Sequence, residues 1–292
     1  MESFNALPPL YSGRLVFINV AAYKFAPFEG LPELREQLRS TCAAHQLKGT
    51  IMVSPEGINL CVAGERRGID ALLAHLQGVP GLEDLSWKES VSAKQPFRRM
   101  LVKIKKEIIA FGIDGIAPAQ KTSAKVSARL LKQWIDQGRK LTLLDTRNDY
   151  EIRMGTFRGA IPIGVSHFRD FPEATRRLSA QLKEETLVMF CTGGIRCEKA
   201  GPFMEAAGFQ NVFQLDGGIL KYFEECGGAH YEGDCFVFDR RVCVDSQLRE
   251  TDAAVCYCCQ MPVTPQEQVD PRYVVGVSCP FCAPRPASAP AG

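Results

Sequence analysis

The chain has 292 residues, of which 46% are hydrophobic and 23% charged, a composition typical of a globular protein with room for two or three domains. Its formal net charge is only +2, so no overall electric field marks it as a nucleic-acid-binding protein. No run approaches the ~18 apolar residues of a membrane span, and no export signal is visible, so we expect a cytoplasmic protein without membrane contacts.

Residues 13–107 contain the first set of predicted elements. Amphipathic helices are expected over 32–45 and over 66–76, where apolar residues recur at helical spacing. Apolar and β-branched runs flank them, in the order β-α-β-β-α-β with one extra strand. This order predicts a ferredoxin-like (acylphosphatase-like) α+β domain. Residues 108–122 contain glycines and a proline without a clear period, and we expect them to form a linker.

A basic stretch near the end of this first domain has two interpretations. Cations at this density can contact phosphates, and Phe97 among them can stack on a base. The same pattern is common on a solvated strand edge that lysines protect from aggregation, and composition favours neither interpretation. The cations are Lys94, Arg98, Arg99, Lys103, Lys105 and Lys106.

Residues 123–228 alternate strands and helices. Strands are expected over 141–144 and 187–190, and helices are expected over 171–182 and 198–207. Such alternation predicts a doubly wound parallel sheet. Because ligands bind at the carboxyl ends of the strands in such a sheet, the loop that begins at Cys191 is the expected functional site.

The loop after Cys191 has the composition of a thiolate site. Gly193 and Gly194 let the backbone turn its N–H groups inward. Those amides, the N-terminus of the following helix and the Arg196 guanidinium all favour negative charge. The pKa of Cys191 is therefore expected to be depressed, and the thiolate is the nucleophilic form of cysteine. A buried cysteine beside an ordinary turn is the alternative, and the coincidence of these features favours catalysis.

The neighbours of this loop each have two interpretations. Asp145 is expected to brace the loop, although it could also face the substrate. Arg147 either forms an ion pair with Glu151 or Asp149 or contacts the substrate. Cys197 either packs in the core or forms a disulfide with Cys191 that resolves a persulfide.

The cysteines near the C-terminus form two pairs. The chain has twelve cysteines, and without an export signal reduced thiols are favoured over disulfides. Two Cys-x2-Cys pairs separated by 19 residues can direct four thiolates at one tetrahedral Zn²⁺, and four protein ligands indicate a structural site. This zinc-binding segment is expected over 229–283, followed by a disordered tail over 284–292. The predicted ligands are Cys256, Cys259, Cys279 and Cys282, with Cys258 able to replace a neighbour.

The Cys191 loop resembles the active-site loop of the rhodanese (sulfurtransferase) superfamily. Its Cys-x4-Arg spacing is that of the sulfurtransferases, whereas the related protein phosphatases have Cys-x5-Arg. Segments at 143–151, 159–163 and 212–219 resemble further segments typical of that superfamily. The resemblance implies that Cys191 carries sulfur as a persulfide and that the rest of the loop binds substrate. Those loop residues are Thr192, Gly193, Gly194 and Ile195.

Over about residues 13 to 282 the sequence resembles the tRNA uridine hydroxylase family. The features that carry the resemblance are the turn at 56–59, the Cys191 loop, the Phe-Val-Phe-Asp-x-Arg segment at 236–241 and the cysteine-rich end. The resemblance implies oxygen-dependent hydroxylation of C5 of the wobble uridine, with tRNA as partner and O2 as co-substrate. No flavin or nicotinamide motif is present. The C-terminal region is shorter than in many members of that family.

Two enzymatic hypotheses and one non-enzymatic hypothesis follow. The first is a tRNA-modifying enzyme in which the Cys191 thiolate adds to C6 of uridine or carries a persulfide. The runner-up is a sulfurtransferase that moves sulfur through a Cys191 persulfide, and the third is a zinc-stabilised scaffold. For the first hypothesis the expected catalytic residues are Cys191, Arg196 and Cys197, and the residues outside the loop expected to bind the RNA are Arg147, Lys94, Arg98, Arg99 and Lys103.

Overall fold

The computed structural model describes residues 16–283, so the first three residues of the predicted N-terminal domain and the tail predicted over 284–292 lie outside the described range. Its first part is an α+β domain built from β1 Phe17–Phe25, α1 Leu31–Ala44, β2 Lys48–Ser54, β3 Gly57–Gly64, α2 Arg66–Gln77, β4 Trp87–Ser92 and β5 Met100–Ile104. The sheet order is β4-β1-β3-β2-β5. Neighbouring strands are antiparallel except β2 and β5, which are parallel. The ferredoxin-like prediction is confirmed by this element order.

The two helices of this domain each bury one apolar face. In α1 the buried residues Leu34, Leu38 and Cys42 recur every four positions and so lie on one side of the helix. They belong to one core with the inward-facing residues of the sheet, such as Val62. The buried face of α2 consists of Gly68, Ile69, Leu72, Leu73 and Leu76.

The central part is a five-stranded parallel sheet with helices around it. Its elements are β6 Ala124–Val126, α3 Ala128–Asp136, β7 Thr142–Asp145, α4 Asp149–Ile152, β8 Gly155–Phe157, β9 Ile161–Pro162, α5 Phe171–Thr175, β10 Thr186–Phe190, α6 Ile195–Ala206, β11 Asn211–Leu215 and α7 Gly218–Cys226. The strand order is β6-β11-β10-β7-β9, with every pair parallel. This confirms the predicted parallel α/β sheet.

Strand β10 lies in the middle of this sheet and is buried on both faces. Leu187 and Met189 contribute to the core on one face, and Val188 and Phe190 contribute to the core on the other. A central parallel strand is covered by helices on both sides, which explains its continuous apolar sequence. The strand therefore delivers Cys191 to the carboxyl edge of the sheet.

Two predicted helices of the central part have different bounds. Helix α6 begins at Ile195, three residues before the predicted start, because Gly194 ends the loop in a left-handed conformation (φ 101°). The helix that the sequence indicates after Phe171 is interrupted: α5 ends at Thr175, and a short 3-10 turn follows at Ala180–Lys183.

The C-terminal part is built from short hairpins. Strand β12 Tyr231–Gly233 pairs with β8 of the central part, β13 Cys235–Phe236 pairs with β14 Cys243–Val244, and β15 Ala254–Val255 pairs with β16 Pro262–Val263, before α8 Pro265–Gln268.

The predicted linker at 108–122 has no helix or strand. It is nevertheless anchored to the central part, because Phe111 is buried against Phe168, Phe171 and Phe203.

None of the helices in residues 16–283 combines the length and the apolar character that a membrane crossing requires.

Candidate active site at the Cys191 loop

The Cys191 loop connects β10 to α6 and depends on two close approaches that glycine permits. A Cβ at Gly194 would lie 2.8 Å from the Tyr23 hydroxyl oxygen. At Gly218, a Cβ would lie 2.4 Å from the carbonyl oxygen of Cys191. Both glycines also have positive φ, at 101° and 68°, so any other residue would be strained there. The loop is therefore packed tightly against the N-terminal domain and the start of α7.

The environment of Cys191 stabilises its thiolate. The sulfur accepts a hydrogen bond of 3.1 Å from the amide of Gly194, and the residue is only 2% exposed. Burial alone would raise the pKa of this thiol. A hydrogen bond with Cys197, the charge of Arg196 and the loop amides outweigh burial and lower the pKa to about 6. The direction agrees with the depressed pKa expected from the sequence.

Cys197 is the thiol partner of this thiolate. It is completely buried, and burial together with its hydrogen bond to Cys191 raises its pKa well above the ordinary value. The Thr146 hydroxyl lies 3.7 Å from its sulfur. The opposite pKa directions favour the thiolate at Cys191 and the neutral thiol at Cys197.

Arg196 is fixed by a buried ion pair. Its guanidinium contacts both carboxylate oxygens of Glu151, at 2.8 and 3.1 Å, and Glu151 is completely buried. Glu151 also accepts hydrogen bonds from the Thr192 hydroxyl at 3.4 Å and the Asn148 amide at 3.1 Å. One carboxylate thus connects α4 to both ends of the loop.

Sequence reasoning did not single out Glu151 as a residue of the site. The sequence pattern around Glu151 is Asn148 followed three residues later by a glutamate, which is typical of a capping box at the start of a helix. That pattern by itself indicates only where α4 begins.

Arg147 lies in a separate buried network. It is completely buried, and its guanidinium is paired with Asp145 at 2.6 Å and donates to the Gly155 carbonyl oxygen at 2.6 Å. The Thr156 hydroxyl also donates to Asp145. A guanidinium with these partners and no exposed surface holds β7 to β8. The geometry therefore supports an ion pair for Arg147 and not a substrate contact, but the partner is Asp145 and not Glu151 or Asp149 as expected, because Glu151 is paired with Arg196.

The N-terminal domain contributes side chains to the loop that the sequence did not reveal. The Tyr23 hydroxyl donates to Glu198 at 3.2 Å, and the Lys88 ammonium donates to the Gly193 carbonyl oxygen at 3.2 Å. Burial lowers the pKa of Lys88. Tyr23 and Lys88 line one wall of a polar cleft of about 410 Å³ between the domains, next to the loop.

The turn at 56–59, whose simplest interpretation is a hairpin, also joins the domains. The Glu56 carboxylate lies 2.9 Å from the ammonium of Lys199, a buried residue of α6, and accepts from the Ile108 amide at 2.7 Å. Asn59 donates to the Ile108 carbonyl oxygen at 3.0 Å. Glu107 also pairs with Lys199, at 2.8 Å.

The C-terminal part places an aromatic ring on the other side of the loop. The Phe238 ring centroid lies 5.5 Å from the guanidinium carbon of Arg196, and Phe238 is 54% exposed. Phe238 and Arg196 are far apart in the chain, and only the fold brings them together.

The predicted RNA-binding cations lie on the surface of the N-terminal domain. All four are exposed, and within residues 16–283 none of them forms an ion pair. Phe97 is half-buried, and it lines a small cavity between the N-terminal and C-terminal parts. The geometry therefore gives little support to base stacking on Phe97. The exposed cations are compatible both with phosphate contacts and with a solvated strand edge. These cations are Lys94, Arg98, Arg99 and Lys103.

The four paired cysteines of the C-terminal part come together as predicted. Their sulfur atoms all lie within 4.8 Å of one another, with separations of 3.8 Å for Cys256–Cys282, 3.5 Å for Cys259–Cys279 and 3.8 Å for Cys279–Cys282. A tetrahedron with metal–sulfur bonds of about 2.3 Å has edges of about 3.8 Å, so this cluster fits a metal ion. Cys258 is exposed and lies outside the cluster.

Comparisons with known proteins agree with this architecture. A model of the UPF0176 acylphosphatase-like domain matches residues 17–108, and a model of the rhodanese-like domain matches residues 127–225. The tRNA uridine(34) hydroxylase of Cupriavidus necator is 47% identical over 270 residues, which cover 91% of this chain and 96% of that protein. The chain belongs to the tRNA uridine(34) hydroxylase family. The members from Burkholderia ambifaria and Burkholderia vietnamiensis are each 46% identical to this chain. The first alignment covers 92% of this chain and 98% of that protein, and the second covers 94% of this chain and 100% of that protein.

Membership of the tRNA uridine(34) hydroxylase family confirms the resemblance drawn from the sequence. The rhodanese-like match contains Cys191, Arg196 and Glu151. Tyr23 and Lys88 lie in the acylphosphatase-like match. In this member of the family, both matched domains therefore contribute contacts to the Cys191 loop.

The lowered pKa of Cys191 gives a testable pH dependence. Because the thiolate is the reactive form, alkylation of Cys191 by iodoacetamide is expected to be half-maximal near pH 6 and to fall below it. The measurement is the rate of adduct formation at this residue by peptide mass spectrometry, with exposed Cys258 as the internal control. A midpoint near the value of about 8.5 for free cysteine would contradict the geometry.

Proposed function

We propose that this chain hydroxylates C5 of the wobble uridine of tRNA, with Cys191 as the nucleophile and O2 as co-substrate. The observation that carries the proposal is the Cys191 thiolate, stabilised by the Gly194 amide and Arg196, in a chain 47% identical to a tRNA uridine(34) hydroxylase. In this proposal tRNA is the partner and the cytoplasm the location.

The thiolate supplies the reactivity that oxidation at C5 requires. Addition of the Cys191 sulfur to C6 of uracil forms a C–S bond and moves the C5–C6 π electrons towards O4, so that C5 becomes electron-rich. Arg196 and the loop amides stabilise the anionic nucleophile and the charge that develops near it. Loss of the C5 proton and of the C–S bond after oxygen insertion returns the thiolate. The second oxygen atom of O2 is reduced to water. This reduction takes two electrons and two protons from an external reductant.

The other predicted loop residues have supporting roles in this proposal. The Cys197 thiol contributes, with Arg196 and the loop amides, to the lowered pKa of Cys191. Gly194 donates its amide to the nucleophile. Thr192, Gly193 and Ile195 complete the wall of the loop that faces the base.

We propose Zn²⁺ as the metal of the four-cysteine cluster. Four thiolates at tetrahedral spacing suit this ion, and a site with four protein ligands has no open position for a substrate. The cluster therefore serves folding of the C-terminal part. We propose domain boundaries at 13–107, 123–228 and 229–283, and the matched ranges 17–108 and 127–225 support the first two of them.

The test is a reaction with purified protein and an anticodon stem-loop RNA that carries uridine at the wobble position. With O2 and a thiol reductant, the wild type is expected to convert this uridine into a nucleoside one oxygen atom heavier, and a Cys191→Ser variant is expected to form none. Absence of product with the wild type, together with thiosulfate-dependent thiocyanate formation, would overturn the proposal in favour of the sulfurtransferase alternative.

The basic surface gives a second prediction for this function. An Arg98→Gln/Arg99→Gln variant is expected to bind the stem-loop more weakly and to reduce the slope of log affinity against log salt by about 0.7–0.9 for each phosphate that the protein no longer neutralises. Filter binding at several salt concentrations measures both quantities. Arg176→Gln, which removes an exposed arginine of the central part, is the control. An unchanged slope in the double variant would assign these arginines to a solvated surface.

A further inference from the structure

Three exposed aromatic rings are present in residues 16–283, and one of them adjoins the candidate active site. Phe238 is 54% exposed, Tyr257 is 60% exposed and Phe281 is 45% exposed. Only Phe238 lies over Arg196, at 5.5 Å. The other two belong to the cysteine-rich segment.

The backbone that carries Phe238 is held firmly. The Phe236 ring packs edge-on against Phe238 at 5.2 Å, and Tyr150 packs edge-on against Phe236 at 5.3 Å. On the other side, Asp239 forms a bidentate ion pair with Arg241. An exposed ring on such a support keeps its orientation without a ligand, which lowers the entropic cost of stacking on it.

The same turn joins the active site to the basic surface. The amide of Arg240 donates to the carbonyl oxygen of Pro96 at 3.1 Å, and the Arg241 guanidinium donates to the Ser90 hydroxyl at 2.7 Å. Pro96 lies between Lys94 and Arg98, two of the exposed cations. The segment that carries Phe238 therefore contacts Arg196 of the site at one point and the backbone between Lys94 and Arg98 at another.

We propose that Phe238 is the base-stacking platform of the substrate site, on which the uracil to be modified, or its neighbour in the anticodon loop, stacks while its phosphates contact the Lys94–Arg98 region. This inference rests on the proposed function. Nucleobases stack on aromatic rings irrespective of sequence, and enzymes that modify a base hold it out of its stack in this way. The ring can stack on a base of the RNA, and the nearby positive charge can contact a neighbouring phosphate.

The chain offers a matched control for this ring. Phe281 is also an exposed phenylalanine, and the guanidinium carbon of Arg153 lies 4.1 Å from its ring centroid, much as Arg196 lies near Phe238. It belongs to the cysteine-rich segment, between the predicted metal ligands Cys279 and Cys282. Phe281→Ala therefore removes a similar ring from a different place.

The test compares Phe238→Ala with Phe281→Ala. Phe238→Ala is expected to raise the KM for the wobble-uridine stem-loop about 5- to 150-fold, the range that stacking on one ring accounts for. Phe238→Trp is expected to retain binding, and Phe281→Ala is expected to resemble the wild type. The pH midpoint of Cys191 alkylation is expected to stay unchanged, which separates loss of stacking from displacement of Arg196.

A KM for Phe238→Ala within twofold of the wild type would overturn the inference. So would a shift in the alkylation midpoint that accounts for the reduced activity. If Phe238→Ala does not fold, Phe238→Leu keeps the apolar contact with Phe236 and gives the same comparison. Failure of the wild type to form product would instead overturn the proposed function, so the two failures are distinguishable.

Discussion

A Glu151→Gln variant is expected to lose about 3–5 kcal/mol of folding free energy, because it leaves the buried guanidinium of Arg196 without its counter-charge. Both residues are almost completely buried, so water cannot replace the missing carboxylate. Hydroxylation is expected to fall about 100-fold in the folded fraction, since a displaced Arg196 and Thr192 no longer shape the loop. Urea denaturation and single-turnover kinetics measure the two effects.

The matched control is Glu173→Gln, which removes an ion pair of 2.6 Å from the surface, compared with 2.8 Å for the buried pair. The side chains of Glu173 and Arg176 are 69% and 77% exposed, and exposed pairs of this kind contribute about 0–1 kcal/mol. Equal destabilisation by the two substitutions would show that Glu151 does not organise the loop.

We expect the proposed metal of the four-cysteine cluster to hold residues 256–282 together, so that its removal unfolds this segment. Structural zinc sites contribute apparent free energies of about 10–16 kcal/mol, which exceeds what the few apolar residues around Cys256, Val263 and Cys279 can supply. A strong chelator is expected to remove one metal ion per chain and to open the segment to trypsin. Metal analysis and limited proteolysis provide the measurements.

Cysteine substitutions provide the matched pair for this second prediction. Cys256→Ser is expected to lose the metal, whereas Cys258→Ser, at an exposed cysteine outside the cluster, is expected to retain it. Retention of one metal ion per chain by Cys256→Ser would contradict the assignment of the ligands.

Local patterns in the sequence predicted the parts of the site that are themselves local. Cys191, the loop glycines and Arg196 lie within six residues, and their spacing specified a thiolate loop before any fold was known. The spacing within the two Cys-x2-Cys pairs likewise predicted the four-cysteine cluster. The alternation of strands and helices was sufficient for the parallel sheet, because buried parallel strands have continuous apolar runs.

Contacts between distant segments could not be predicted in this way. Glu151, Lys88 and Phe238 reach the loop from three separate parts of the chain, and no periodicity relates them to it. Arg147 is the opposite case, a residue that the sequence suggested for the site and that lies outside it. Its position after a strand allowed a substrate contact, but its guanidinium is enclosed by Asp145 and a backbone carbonyl. Only the packing of the domains distinguishes these cases.

The most direct test of the central claim is nucleoside mass spectrometry of tRNA from cells that lack this protein and any redundant route to the same modification. We expect 5-hydroxyuridine and nucleosides derived from it to disappear. A plasmid encoding the wild type is expected to restore them, and one encoding Cys191→Ser at equal protein level is expected not to. Restoration by Cys191→Ser, or unchanged nucleosides in the deletion strain, would contradict a hydroxylase that depends on the Cys191 thiolate.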